Sequence, residues 1–482
     1  MDKKMGVHFY ISVKNLDEII KKEESIDDDL KRTLHRLQTY FVGLTKLISD
    51  SGAKVEKYTA GRAHIVFEIN NDDKVDDSIV ETICSSFIYV NEIFNSLGKY
   101  SQYPKFSVHA GVDYGEYYDY EIEEGEITSI GSVANISAKI QSYASKNYLY
   151  ATKKFIEKLD DSISDKFVRL DDTEYKDLYD RVKIKNIYEV KYSDVFDNDK
   201  NQELLNNLKD VKEKVEDETK KINLKDIKFE DVVKKLSFDN LSLRGKNKKI
   251  LDTAIICADI RGFTKLFTVS DSNLDDLKEV MQEIYSIMGS VVEEFNGTLV
   301  QYQGDRLVAI YHDYDSEKDY IIRVLEAALT LKDKIIELSN DNEIKKKLNN
   351  KDISIGIGCS IGKVIATRLG RYGSKDNMIL GEAYKYANKS EDEYADKKEV
   401  VIYKTLKEKI ELIADDEYNE NVRYEVLKES FNSISTTGYY VTNITLADYK
   451  NRIQEVQNNK LEIENAVNRQ YNSKQEVRPW GR

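Results

Sequence analysis

The chain has 482 residues, which is too long for one ordinary hydrophobic core and suits two domains of roughly 200 residues each. Hydrophobic residues make up 40% of it and charged residues 33%, as in a globular protein with a strongly solvated surface. The net charge of -14 argues against a nucleic-acid partner, because binding a phosphate backbone needs a concentrated basic face. No apolar run approaches the roughly 18 residues that span a bilayer, and the first residues lack the pattern of a signal peptide. We therefore expect a soluble, cytoplasmic protein with no membrane partner, in which Cys84, Cys257 and Cys359 are buried thiols.

The first half of the chain predicts strands that alternate with long amphipathic helices. Its apolar pattern changes between the two-residue period of a strand and the period of about 3.6 residues of a helix. The predicted strand, helix, hairpin and second helix are Val7–Val13, about Leu30–Ser49, Val55–Glu68 and Ser78–Leu97. A further strand, a loop and a third helix complete this half.

Residues 191–247 have a different composition, dominated by Asp, Glu, Lys and Asn with few Leu and Val. We interpret them as a charged, partly helical linker. The second half then repeats the order of the first with Ala254–Ala258, about Asp275–Phe295, Leu299–Tyr311 and Tyr320–Ser339. The tail is predicted to be helical from about Tyr449 to Tyr471.

Three short matches, in the same order and at one offset, indicate that the second half is a copy of the first. The aligned positions are Gly61-Arg62 with Asp305-Arg306, Gly111 and Gly115 with Gly358 and Gly362, and 130–135 with 380–385. The order of elements in each copy predicts an α/β (α+β) sandwich, with helices over a mainly antiparallel sheet. We divide the chain into a first domain of residues 1–190, the linker of 191–247, a second domain of 248–448 and a helical tail of 449–482.

Two carboxylates of the second half stand where strands end. Asp259 follows the apolar run Ile-Ile-Cys-Ala, where an unpaired charge is costly. Asp305 lies in Gln-Gly-Asp-Arg between the two hairpin strands, in a turn that we expect to expose it. If the strands are neighbours, the two carboxylates converge and suit two Mg²⁺ or Mn²⁺ ions, which prefer oxygen ligands. In the alternative interpretation, Asp259 caps a helix and Asp305 is a turn residue paired with Arg306.

The stretch 254–311 contains Ala-Asp-Ile-Arg-Gly-Phe-Thr and Asn-Gly-Thr-Leu-Val-Gln-Tyr-Gln-Gly-Asp-Arg, and it resembles the class III adenylate and guanylate cyclases. The resemblance is strong over about 250–400 and weak over 1–190. It implies two ferredoxin-like, palm-type domains in tandem, whose active sites lie at the domain interface. One partner supplies the metal aspartates and the other the substrate-reading residues. By this resemblance Asp259, the carbonyl of Ile260, and Asp305 would hold the two metal ions.

The resemblance also implies that the first half supplies the complementary residues. Asn135 matches the family's ribose-orienting Asn, and Lys139 matches its transition-state Arg, a change that keeps the charge but loses the planar fork. The first half cannot hold the metals, since its counterparts of the two aspartates are Ile11 or Ser12 and Gly61.

The second half is impaired in the opposite way, with Lys385 where the family has Asn and Lys389 where it has Arg. We therefore expect one working site between the halves and one dead site. Because the two halves can pair within one chain, a monomer would suffice for catalysis.

Four further residues are candidate substrate contacts by resemblance. Lys57 and Thr128 match the base-reading positions, and this combination is similar to adenylate cyclases. A Lys ammonium can donate to an adenine ring nitrogen, but it excludes neither UTP nor CTP. Lys185 matches a phosphate-binding lysine of the family, and Arg371 is a second candidate clamp for the triphosphate. Each of the four could instead be an ordinary solvated residue.

These residues predict a nucleotidyl cyclase, a phosphorus–oxygen lyase that converts a nucleoside triphosphate, with ATP favoured, into a 3′,5′-cyclic nucleotide and pyrophosphate for signalling inside the cell. One alternative is a Pycsar-type pyrimidine cyclase that makes cyclic UMP or cyclic CMP in anti-phage defence. An alternative of another class is a non-catalytic, nucleotide-binding pseudo-cyclase, which the Lys at position 139 favours. A polymerase palm also uses two carboxylates, but the sequence offers no basic surface for a template.

Overall fold

The structure is a computed structural model. It describes residues 3–26, 29–69, 74–123, 126–182, 184–262, 274–314, 319–371, 374–416, 421–434 and 437–476. The end of the Ala-Asp-Ile-Arg-Gly-Phe-Thr motif, Phe263 and Thr264, and the last residues of the tail lie outside this part. Among the helices described, none is both long enough and apolar enough to cross a membrane.

The first half forms an eight-stranded sheet with helices packed on it. Its strands are β1 (Lys3–Val13), β2 (Lys54–Thr59), β3 (Arg62–Ile69), β4 (Val108–Glu123), β5 (Glu126–Ile130), β6 (Tyr148–Thr152), β7 (Val168–Arg169) and β8 (Ile187–Lys191). Its helices are α1 (Leu16–Glu24), α2 (Lys31–Asp50), α3 (Asp77–Ile88), α4 (Ser132–Tyr143), α5 (Lys153–Ile156), α6 (Asp161–Ser164), α7 (Lys176–Val182) and α8 (Tyr192–Val195). The strand order is β2-β3-β1-β4-β6-β8-β7, with β5 paired to β4. The β4–β6 pairing is parallel, and the other pairings described in this sheet are antiparallel.

The rest of the chain repeats this arrangement around a nine-stranded sheet. Its strands are β9 (Phe229–Glu230), β10 (Asn247–Arg261), β11 (Thr298–Gln303), β12 (Arg306–His312), β13 (Ser354–Arg371), β14 (Ser374–Leu380), β15 (Glu399–Tyr403), β16 (Asn432–Ser433) and β17 (Tyr439–Thr442). Its helices are α9 (Asn198–Asn207), α10 (Lys209–Lys221), α11 (Leu274–Glu294), α12 (Tyr320–Asn340), α13 (Asn342–Lys347), α14 (Glu382–Lys389), α15 (Lys404–Ala414), α16 (Val422–Ser430) and α17 (Leu446–Glu476). The order β11-β12-β10-β13-β15-β17-β16 reproduces the order of the first sheet. The predicted fold of two mainly antiparallel α/β units in tandem is therefore confirmed.

One predicted helix is shorter than its apolar pattern. The helix expected over Ser78–Leu97 ends as an α-helix at Ile88 and continues as a π-helical turn and a short 3₁₀ turn. Asn95 accounts for this change, because its side chain donates to the backbone oxygen of Phe106 and accepts from its backbone nitrogen, both at 2.8 Å. These two bonds tie the end of the helix to the chain that enters β4.

The register of the strands fixes which residues of the two copies are equivalent. In the first sheet Ser12 of β1 pairs with Arg62 of β3. In the second sheet Asp259 of β10 pairs with Arg306 of β12. The counterpart of Asp259 is therefore Ser12 and not Ile11.

Each sheet sends a two-stranded arm into the core of the other half. The β13–β14 arm adds Ile365, Leu369, Met378 and Leu380 to the core of the first half. The β4–β5 arm adds Tyr120 and Ile130 to the core of the second half, where Tyr120 stacks on Tyr285 of α11 with ring centroids 5.4 Å apart. Gln38 of α2 also exchanges hydrogen bonds of 3.0 and 3.1 Å with the backbone of Gly370. The two halves are thus held together by two arms, each of which packs into the core of the other half.

The helical part of residues 191–247 is folded against the first half, whereas Leu236, Phe238 and Leu241 pack into the second half. Helix α10 lies on α2 and buries Val211 and Val215 in the core of the first half. Gly43 of α2 permits this close approach, because a Cβ at that position would lie 2.5 Å from Cγ1 of Val215. The charged residues of this segment occupy the outer side of helices whose apolar side is buried.

Candidate active site

A deep cleft runs between the two halves, and we call it the interdomain cleft. Its volume is about 640 Å³, which is in the range of small-molecule sites. It is lined by side chains from segments 10–20, 56–64 and 128–142 and by His109 of the first half, and from segments 259–262, 303–306 and 380–393 of the second half. Both pseudo-equivalent sites of the duplicated fold therefore open into one space.

Asp259 and Asp305 both line the cleft, and the strand that carries Asp259 is paired with the strand that follows Asp305. Asp259 lies near the end of β10, and Asp305 lies in the tight turn that joins β11 to β12, the strand that pairs with β10. Gly304 makes this turn with a φ of 64°, a left-handed conformation that glycine adopts without strain. The expectation that the turn exposes Asp305 is wrong, because the residue is only 6% exposed. The turn folds the carboxylate back into the cleft.

The electrostatic environment of Asp305 fits a cation. Burial, and then the nearby charge of Asp259, raise the pKa of Asp305 well above its ordinary value, while Lys139 acts in the opposite direction. A divalent ion between the two carboxylates would remove this repulsion. The described residues contain no cluster of three or more His, Cys, Asp and Glu that could hold a metal by itself. Two carboxylates, the neighbouring Ile260 and the phosphates of a substrate are a donor set that suits Mg²⁺, which is rarely caged by protein alone.

A buried ion-pair network, which the sequence did not indicate, holds Asp259. Arg261 Nη1 donates to Oδ2 of Asp259 at 2.6 Å. Its Nη2 donates to the backbone oxygen of Glu391 at 2.6 Å and lies as close to the carboxylate Oε1, a contact that is an ion pair without hydrogen-bond geometry. Arg306 Nη2 lies 3.0 Å from the other carboxylate oxygen of Glu391, again as an ion pair. The residue that makes room for the Arg261 guanidinium is Gly356, where a Cβ would lie 2.6 Å from Nη2.

Helix α4 of the first half carries Asn135 and Lys139 into the cleft. Their spacing of four residues places them on one face of the helix. A Cβ at Gly304 would lie 3.8 Å from Oδ1 of Asn135, so this amide faces the turn that carries Asp305. Lys139 is close enough for its charge to lower the pKa of Asp305. The structure therefore brings both residues of the first half to the two carboxylates of the second.

Lys57 and Thr128 also line the cleft, where each makes a hydrogen bond to a different residue. Lys57 Nζ donates to the backbone oxygen of Tyr302, across the interface, at 2.7 Å. Thr128 Oγ1 donates instead to Oε1 of Glu56, at 3.2 Å. Glu56 is a cleft residue that the sequence analysis missed, because a bulge between Val55 and Lys57 breaks the two-residue alternation of β2 there.

The two candidate triphosphate contacts have different positions. Lys185 is exposed in the loop before β8, and it is not among the described residues that line the interdomain cleft. The side chain of Arg371 lies outside the described part of the chain, although its backbone ends β13. Cationic residues that do line the cleft are Lys14, Lys57, Arg62, Lys139, Arg261, Arg306, Lys385 and Lys389.

The pseudo-equivalent end of the cleft has no counterpart of the Asp259 or Asp305 carboxylate. It also has no room for a side chain at the position that corresponds to Asp305. Gly61 is the counterpart of Asp305, and a Cβ there would lie 2.9 Å from Cδ2 of Leu16 and 3.1 Å from Cβ of Val13. Lys385, which stands where the family has Asn, pairs with Asp17 at 3.2 Å. Packing as well as sequence therefore distinguishes this end from the end that contains Asp259.

Comparison with known proteins points to the same family. The family model of the adenylate and guanylate cyclase catalytic domain matches residues 246–442. An adenylate cyclase of Anabaena cylindrica is 22% identical over 165 residues, which cover 34% of this chain and 31% of that protein, so the match spans about a third of the relative's length.

A solved structure has the same fold over most of the chain. A class III adenylyl cyclase-like ATP-binding protein from Pseudomonas aeruginosa matches over 93% of this chain and 90% of that chain, with a TM-score of 0.68 and 17% identity. The adenylyl cyclase CyaB from P. aeruginosa covers 34% of this chain and 82% of that chain, with a TM-score of 0.30 and 16% identity. The family match contains both cleft aspartates. The structure with a TM-score of 0.68 is similar to this chain over both halves. Residues 246–442 therefore match the adenylate and guanylate cyclase catalytic domain, and the fold of the whole chain is that of a class III adenylyl cyclase-like protein.

Proposed function

We propose that the chain is an active nucleotidyl cyclase with one working site, at the end of the interdomain cleft that contains Asp259 and Asp305. The observation that carries this proposal is the joint placement of the two carboxylates from the second half and Asn135 and Lys139 from the first half. A duplication kept only for structure has no reason to retain these complementary sets on opposite halves.

In the proposed reaction the ribose 3′-hydroxyl attacks the α-phosphorus of a nucleoside triphosphate, transfers its proton to water, and displaces pyrophosphate as the bond between the α-phosphorus and the bridging oxygen breaks. Asn135 orients the ribose, and Lys139 neutralises negative charge that develops on the α-phosphate. Asp259, the carbonyl of Ile260, and Asp305 would hold two Mg²⁺ or Mn²⁺ ions. When bound, these ions acidify the hydroxyl and neutralise the triphosphate.

Purified protein incubated separately with ATP, GTP, CTP and UTP, in Mg²⁺ and in Mn²⁺, tests the proposal when the products are identified by mass spectrometry. We expect a 3′,5′-cyclic nucleotide from the wild type and none from Asp259→Asn/Asp305→Asn. The matched control is Glu68→Gln, which changes an exposed carboxylate that pairs with Lys4 outside the cleft. Equal product from the double variant and the wild type would refute the assignment of the two aspartates.

ATP is the proposed substrate, because Lys57 and Thr128 lie in the cleft at the positions that match the base-reading residues of adenylate cyclases. Production of cyclic UMP or cyclic CMP instead would support a pyrimidine cyclase of the Pycsar type.

A nucleotide-binding protein without turnover is the second candidate function. It is supported by the Lys at position 139 and by the whole-chain similarity to a cyclase-like protein described as ATP-binding. Saturable binding of a nucleoside triphosphate without any cyclic product, even in Mn²⁺, would favour it. The retained pair Asp259 and Asp305 argues against it, because a binding module does not need two repelling carboxylates.

A further inference from the structure

Glu56 is a buried carboxylate in the wall of the interdomain cleft, beside the candidate base-reading residues. Its side chain is 4% exposed. Oε1 accepts hydrogen bonds from the backbone N–H of Ser129 at 2.9 Å and from Thr128 Oγ1 at 3.2 Å, and Oε2 accepts one from Ser129 Oγ. His64 Nδ1 lies 3.3 Å from Oε1. The carboxylate is therefore surrounded by hydrogen-bond donors.

These contacts keep Glu56 ionised. Burial by itself raises the pKa of Glu56, but the His64 side chain and the hydrogen bonds from Ser129 together outweigh burial and hold it well below its ordinary value. An ionised carboxylate has no proton and only accepts hydrogen bonds. Each donor that faces Glu56 must therefore direct its proton toward it.

This requirement fixes the direction of the hydrogen bond that the Thr128 hydroxyl makes. A threonine hydroxyl has one proton to donate and two lone pairs that accept. Because the proton of Thr128 is directed to Glu56, the hydroxyl presents only lone pairs to a ligand in the cleft. Without Glu56, rotation of the hydroxyl would let it donate or accept with equal ease.

We propose that Glu56, by holding the Thr128 hydroxyl as an acceptor, makes the site select nucleoside triphosphates whose base carries an amine at the purine 6-position or the pyrimidine 4-position. Adenine and cytosine carry this amine, whereas guanine and uracil carry a carbonyl oxygen there, which would face the lone pairs of Thr128. This inference rests on the proposed function, and it makes Glu56 a positioning residue that acts on the base through Thr128.

Equilibrium binding to the full-length protein separates the inference from the proposed activity. A fluorescent ATP analogue is displaced by the 3′-deoxy forms of ATP, GTP, CTP and UTP, which cannot cyclise, and four dissociation constants are obtained for each variant. If the wild type binds none of the four, the proposed function fails. If it binds all four with equal affinity, the inference alone is overturned.

Three variants test the role of Glu56. We expect the wild type to bind the amine-bearing nucleotides about ten-fold more tightly than the others, a ratio typical of one mismatched polar contact. Thr128→Val removes the acceptor and should reduce this ratio to near one. Glu56→Met keeps the volume but frees the Thr128 hydroxyl, so the ratio should fall although Thr128 is present. Glu56→Gln should keep the ratio, because the Ser129 N–H holds the amide oxygen where Oε1 lies.

The two Glu56 variants, Glu56→Gln and Glu56→Met, distinguish a positioning role of Glu56 from a purely structural one. A structural role would lower the melting temperature and the affinity for all four nucleotides together, without changing their ratio. An unchanged ratio in Thr128→Val, or a ratio lost equally in Glu56→Gln and Glu56→Met, would overturn the inference. If Glu56→Met does not fold, Glu56→Ala replaces it, since it also frees the Thr128 hydroxyl, and an unchanged ratio in that variant would overturn the inference.

Discussion

Glu391 is the residue whose change should disturb both the stability and the metal affinity of the second half. It is 1% exposed and lies between two guanidinium groups, those of Arg261 and Arg306. Glu391→Gln keeps the shape of the side chain and removes its charge. The two arginines would then remain buried with less negative charge around them.

The expected loss of stability follows from these contacts. Breaking a buried ion pair by removing one partner costs about 3–5 kcal/mol. Arg261 keeps Asp259 as a partner at 2.6 Å, and it can still donate to the backbone oxygen of residue 391. We therefore expect the lower end of the range, about 3 kcal/mol. In a domain of 150–250 residues, roughly 2–4 °C per kcal/mol corresponds to a melting temperature lower by about 6–12 °C.

A second effect reaches the metal site. Without the Glu391 charge, Arg261 pairs more strongly with Asp259, and that carboxylate becomes a poorer ligand. We expect Mn²⁺, titrated by electron paramagnetic resonance, to bind about ten-fold more weakly, as for other changes next to metal ligands.

Melting curves recorded in a chelator, together with the Mn²⁺ titration, check both expectations. The matched control is Glu393→Gln, two residues away, whose half-exposed carboxylate pairs with Lys389 at 3.3 Å. Exposed pairs of this kind contribute about 0–1 kcal/mol, so its melting temperature should stay within about 2 °C of the wild type. If Glu391→Gln melts as the control does and binds Mn²⁺ with unchanged affinity, the network does not hold Asp259 and the reasoning is wrong.

Three other predictions concern the two ends of the interdomain cleft. Asp305→Asn should lower turnover at least about 100-fold, because it removes a metal ligand. In a chelator the same variant should melt at a higher temperature than the wild type, and the difference should grow as the pH rises above about 4. The reason is that the pKa of Asp305 is raised in the folded state, so that ionisation of this carboxyl costs the folded protein stability. Melting curves recorded between pH 4 and 8 would show this trend, and a difference in melting temperature that does not change with pH would contradict it. Gly61→Asp should destabilise the protein by about 1–3 kcal/mol through its clash with Leu16, without adding a Mn²⁺ site in a titration. Lys139→Arg should raise kcat about five-fold, because a planar fork adds roughly one hydrogen bond to the transition state, and an unchanged kcat would count against a role for position 139.

The fold was predictable because the two copies share residues that local packing requires, and these residues make the duplication recognisable in the sequence. Gly111 and Gly358 anchored the alignment, and each lies under a helix, where a Cβ would come within 2.4 Å and 2.3 Å of a backbone oxygen. No other residue fits such a position, so the glycine persists in both copies. The Asp259 strand and the Asp305 turn were identifiable for a similar reason, since a charge near the end of a buried strand and a tight turn at Gly304 are local features.

Contacts between distant parts of the chain were not predictable. Arg261 and Glu391 are 130 residues apart, and nothing in either segment indicates the other. Glu56 was overlooked because the bulge in β2 turns it into the cleft, where regular alternation would not have placed it beside Lys57. The burial of Asp305 depends on how two halves close over one turn, a property that the turn sequence does not contain.

The exchanged arms have a consequence for how the chain is made. The first half lacks Ile365, Leu369, Met378 and Leu380 of its core until the β13–β14 arm has been synthesised. Translation from the end of the first domain to that arm adds roughly 190 residues, which take roughly 10–40 seconds at the usual rates. During this interval the first half has an incomplete core and an apolar surface open to other molecules. Fusing the two copies in one chain brings the missing arm to that surface at high effective concentration, which two separate polypeptides would have to achieve by diffusion.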